Sequence, residues 1–108
     1  MQHGSSSDQS VVSEVKILFL QRLSQVGGLI GFASCVYAGL KLDSIGIISK
    51  EDGGIRLSYP TRKLGNGQQF FYFYPTSNEL SEAIHEAVMR KYSDLIKERI
   101  NDEGYQNE

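Results

Sequence analysis

Between Gly53 and Pro75 the chain carries Arg56, Arg62 and Lys63 and no Asp or Glu, so this stretch holds +3 inside a protein whose formal charge is −2. Three cations without acidic neighbours can donate to phosphate oxygens, contacts that position a polyanion without reading its sequence. Arg62 and Lys63 follow Tyr59-Pro60-Thr61, and the fixed φ of Pro60 is expected to hold this hinge outward. The competing reading is that the three cations are solvated side chains or guards against edge pairing. Arg90 and Lys91 are further candidate phosphate contacts, but Glu86 and Asp94 stand three or four residues away, a spacing that also suits local ion pairs.

Aromatic residues fill Phe70-Phe71-Tyr72-Phe73-Tyr74. Exposed rings could stack bases, but leaving both faces of such a strand open would create a large apolar patch, so one face is expected to lie under a helix. Other chemistry finds little support. His3 and His85 are far apart in the chain, and the single Cys35 sits in an apolar strand-like run. No metal-ligand spacing or nucleophile-base pair emerges, and Cys35 reads as a buried structural thiol. Gly53-Gly54 and Gly65-Asn66-Gly67 are turn signals without the spacing of a phosphate loop. The expectation is a non-enzyme with no cofactor and no small-molecule substrate.

The 108 residues suit one domain, and 40% hydrophobic with 22% charged residues is a globular composition. Residues 1–10 are small and polar and read as a disordered tail, 11–101 as the domain, and 102–108 as a flexible tail. The first residues lack a cationic, apolar leader and no segment is apolar enough to span a membrane, so the expected location is cytoplasmic.

The elements that must position these residues form an α+β pattern: an antiparallel sheet of four to five short strands, then one long amphipathic helix. Val15 to Leu20 reads as a first strand buried on both faces, and Gln25-Val26-Gly27-Gly28 as a hairpin turn. A second strand follows over Leu29 to Ala38, whose face of Leu29, Gly31, Ala33, Cys35 and Tyr37 is small enough to receive a helix. The alternation after Gly39 slips near Asp43-Ser44, which predicts a β-bulge. Asp52-Gly53-Gly54 marks the next hairpin, and Pro60 and Pro75 end strands.

Thr76-Ser77-Asn78-Glu79 has capping-box spacing with Thr76 as the cap. An apolar stripe from Leu80 to Ile100 follows at helical spacing, with a stop expected near Gly104. That stripe is about 35 Å long, while a small sheet offers about 17–25 Å. The excess predicts a homodimer, each helix end packing on a partner subunit.

The ordered set of Leu42-Asp43-Ser44-Ile45-Gly46-Ile47-Ile48, Asp52-Gly53-Gly54, Leu57-Ser58-Tyr59-Pro60-Thr61-Arg62-Lys63, Phe73-Tyr74-Pro75 and the helix from Leu80 to Tyr92 resembles the septation protein SpoVG family, also called stage V sporulation protein G. The likeness covers roughly Val11 to Ile100. Gly46 stands where that family carries an arginine, and Tyr74 where it carries a histidine. The resemblance implies an intertwined homodimer that binds DNA or RNA and acts as a bacterial regulator in septation and sporulation. The alternative left open is a homodimeric protein-interaction module that ignores nucleic acid, which the acidic pI near 5.7 favours.

Overall fold

Hairpin connections decide the architecture. The computed structural model describes residues 11–20 and 28–106, the last of these from 99 onward as backbone alone. Strands β1 (Ser13–Phe19), β2 (Leu29–Tyr37), β3 (Leu40–Ser49) and β4 (Ile55–Ser58) form one antiparallel sheet in chain order. Strands β5 (Thr61–Lys63) and β6 (Gln69–Phe71) pair as a separate ribbon, and helix α1 (Asn78–Gln106) follows. The fold is therefore α+β, as expected. The tail over residues 1–10 and most of the Gln25 to Gly28 turn lie outside the described residues.

Strands β2 and β3 meet through Ala38 and Gly39, with φ of 53° and 79°, the two positive values that a tight hairpin of matching twist requires. At the next hairpin Lys50 N–H donates to Gly54 O at 2.9 Å, and Asp52 Oδ1 accepts the Gly54 N–H at 2.9 Å. That bond, reinforced by Lys50, holds the exposed Asp52 carboxyl below its usual range. The bulge expected near Asp43-Ser44 is present: Ala33 pairs with Ile45 but Cys35 with Leu42, and Ser44 has φ of 65°. Two further register shifts, after Ser13 in β1 and after Leu29 in β2, have no counterpart in the sequence reading.

The small face of β2 receives the helix. Ala33, Cys35, Ile45, Ile47 and Ile55 from the sheet and Ile84 and Val88 from α1 are almost fully shielded from solvent. Phe19 and Tyr92 extend this contact, their rings 6.1 Å apart, and His85 Nε2 donates to Ile55 O at 3.0 Å. That bond occupies a carbonyl on the edge strand β4, where an open backbone group invites foreign pairing. Burial raises the pKa of the Cys35 thiol, consistent with an unreactive packing role.

Several expectations are corrected. Strand β1 is an edge strand with one open face: Val15 and Ile17 pack on the core, while Leu18 is 70% exposed. The helix cap is Ser77, whose Oγ accepts the Leu80 N–H at 3.1 Å, rather than Thr76. With the cap one residue later, Leu80 takes the place the capping box reserves for a glutamate, so no reciprocal bond forms. Gly104 does not stop the helix, which continues to Gln106.

Candidate functional site

Pro60 lacks an N–H and cannot extend the four-stranded ladder. The chain leaves the main sheet there and immediately builds the β5–β6 ribbon. The segment read as a hinge is thus a short strand, with Thr61 opposite Phe71, Arg62 opposite Phe70 and Lys63 opposite Gln69. Its turn is locally determined: Gly67 N–H donates to Leu64 O at 2.9 Å, Leu64 N–H donates to Gln68 O at 2.7 Å, and Asn66 Oδ1 accepts the Gln68 N–H at 3.0 Å.

Every residue of β5 and β6 is exposed. Arg62 and Lys63 are neighbours on one strand, so they leave from opposite faces of the ribbon. A two-stranded ribbon open on both sides presents both to solvent. Among the described residues the only ion pair is Lys50 with Asp52 at 3.8 Å, so no carboxylate there neutralises Arg62 or Lys63.

Arg56 belongs to a different sheet. It is exposed on β4 opposite Ile48 and lines a pocket with Ser81 and His85 of the helix, whereas Arg62 and Lys63 stand on the ribbon. Arg90 and Lys91 lie in the middle of α1, the first exposed and the second half-buried. The ion pairs anticipated for them with Glu86 and Asp94 do not form.

The aromatic segment departs most from the sequence reading. It forms a strand only through Phe71, and the Tyr72 N–H still bonds to Pro60 O at 2.9 Å before the chain turns away. Phe73 alone folds onto the core, its ring 6.0 Å from Tyr59 in an edge-on arrangement. Phe70, Phe71, Tyr72 and Tyr74 are 54%, 53%, 66% and 57% exposed, so of the five rings only that of Phe73 is covered. The Phe71 and Tyr74 rings lie 5.0 Å apart and support one another.

Tyr59 fixes the base of the ribbon. Its ring packs against Phe73, and its hydroxyl is buried without a hydrogen-bond partner. Burial first, then the nearby Cys35, pushes that hydroxyl up to about 12. Neither this orphaned hydroxyl nor the direct pairing of Arg62 with Phe70 was legible beforehand, because strand register across a loop is not written in either strand alone.

No protein-family model matches the chain, and no curated protein matches it. No helix among the described residues is long and apolar enough to cross a membrane. No group of three or more His, Cys, Asp or Glu among them is placed to hold a metal ion.

Proposed function

We propose that this protein is a non-enzymatic, homodimeric nucleic-acid-binding regulator of the SpoVG type. The single observation that carries the reading is the exposed ribbon of an acidic protein, with Arg62 and Lys63 unpaired among the described residues and no acid from residue 53 to 75. Its mechanism is electrostatic docking: guanidinium and ammonium groups donate to phosphate oxygens and release condensed counterions. Arg56 adds a contact from the main sheet, and Arg90 and Lys91 extend the cationic surface along the helix.

The dimer reading rests on helix length. Twenty-nine residues span about 43 Å, and Tyr92 is the last side chain packed on the core among those described, which end at residue 98. Two subunits would present the ribbon twice, multiplying affinity through effective concentration. Sedimentation is expected to give a dimer at micromolar concentration; a folded monomer there would remove this part.

One observation favours a protein-interaction module instead: Leu18 and Phe32 are direct cross-strand partners on the open sheet face, with Leu18 70% exposed. Heparin chromatography separates the two. Retention at physiological salt, lost in Arg62→Ala with Lys63→Ala, supports the nucleic-acid reading. Flow-through at low salt defeats it and leaves the interaction module.

A further inference from the structure

We infer that the β5–β6 ribbon is a stacking platform for unpaired bases, so that the preferred ligand is single-stranded nucleic acid. This rests on the polyanion reading above and adds the class of strand. The geometry is a pairing of one cation with one exposed ring on each face. Arg62 is the direct partner of Phe70 on one face. On the other, Lys63 shares its side with Thr61 and therefore with Phe71, the cross-strand partner of Thr61.

Each ring stands ready for a flat ligand. Phe70 is 54% exposed, and Phe71 is held 5.0 Å from Tyr74, which is itself 57% exposed. A phosphate at each cation would leave its base within reach of the neighbouring ring. Stacking requires the face of a base, and a duplex hides those faces within its own stack. The ribbon therefore discriminates against paired strands without any hydrogen bond to a base edge.

Charge decides what covers these rings. Packing two copies ribbon to ribbon would set Arg62 and Lys63 against their own duplicates, with no acid between residues 53 and 75 to relieve the repulsion. A polyanion brings the complementary charge and the aromatic faces together. Apolar protein partners would satisfy the rings and leave the cations without a counterpart.

The test is fluorescence anisotropy with labelled oligothymidylate and oligouridylate of about 12 nucleotides, within the site size of such platforms, and a DNA duplex of equal length. Both single strands are expected to bind more tightly than the duplex. Phe70→Leu keeps an apolar side chain on the ribbon but removes the ring. It is expected to weaken single-strand binding at least about five-fold, the low end for one stacked base, while leaving duplex affinity and salt dependence unchanged. Phe71→Leu should behave likewise, whereas Arg62→Ala should weaken strand and duplex alike.

A duplex preference, or Phe70→Leu and Phe71→Leu binding single strands as well as the parent, overturns the stacking inference and leaves the polyanion reading intact. Binding to none of the three probes overturns both. Sedimentation of Phe70→Leu guards against the remaining occupant: a change of oligomeric state would assign the ring to a second copy and overturn the inference.

Discussion

Tyr59→Phe removes one oxygen from the base of the ribbon, and the structure fixes the sign of its effect at two pH values. The hydroxyl is buried and unpartnered in the fold, whereas water solvates it in the unfolded chain. Leaving such a group unsatisfied costs about 1–3 kcal/mol, so the phenylalanine variant is expected to be more stable than the parent by about 1 kcal/mol at neutral pH. The ring and its 6.0 Å contact with Phe73 are retained.

Alkaline pH supplies the second signature. Burial pushes the Tyr59 hydroxyl up to about 12, above the ordinary value of 10.0 that applies when unfolded. Between those values the folded state keeps a proton that the unfolded state has lost, so stability falls with rising pH at about 1.4 kcal/mol per unit. The contribution is intact below pH 10 and lost as pH rises through about 12, at most about 2.7 kcal/mol in all. Urea unfolding of parent and variant at pH 7, 10 and 11.5 measures both. The variant should lie above the parent at pH 7 and the gap should widen with pH. A variant less stable at pH 7, or a gap that stays constant, would show that the hydroxyl has a partner and refute the reasoning.

Four other substitutions probe the main sheet and the start of the helix. A Cβ at Gly31 would lie 2.6 Å from the Leu18 carbonyl oxygen, so Gly31→Ala must push β1 outward and should cost about 1–3 kcal/mol by chemical denaturation. Ser77→Ala should cost about 1 kcal/mol through loss of the helix cap, while Thr76→Ala should change stability by less than about 0.5 kcal/mol; the reverse order would restore the capping box to Thr76. Ala38 occupies φ of 53°, where a side chain costs about 1 kcal/mol, so Ala38→Asn should raise stability by roughly 0.5–1 kcal/mol in thermal or urea unfolding.

The elements with a local signature were legible in the sequence. Alternation along Leu29 to Tyr37 marked the small face that meets the helix, and the slip between Leu42 and Ile45 marked the bulge. Asp52-Gly53 marked a turn because its geometry depends on adjacent residues. What depended on distant residues was not legible. Strand β1 reads as doubly buried by composition, yet the helix covers only one face of the sheet, so Leu18 and its partner Phe32 on the other face stay open. The five aromatics from Phe70 to Tyr74 read as one strand, but the pairing partner of that strand is only three residues long, so Tyr72 to Tyr74 leave the ladder. Of the candidate site, the identities of Arg62 and Lys63 and their acid-free surroundings were visible beforehand. Their opposite faces, their aromatic neighbours and their separation from Arg56 required the register.

The salt dependence of binding to duplex DNA tests the central claim most directly, because a duplex reports phosphate contacts without stacking. Three contacts from Arg56, Arg62 and Lys63 on each of the two subunits predict a log-log slope of about −5.4, or a loss of about 1,800-fold in affinity between 50 and 200 mM salt. Arg62→Ala with Lys63→Ala leaves one contact on each subunit and predicts a slope of about −1.8, a loss of about 12-fold over the same range. Equal slopes for the parent and the double variant would contradict the account.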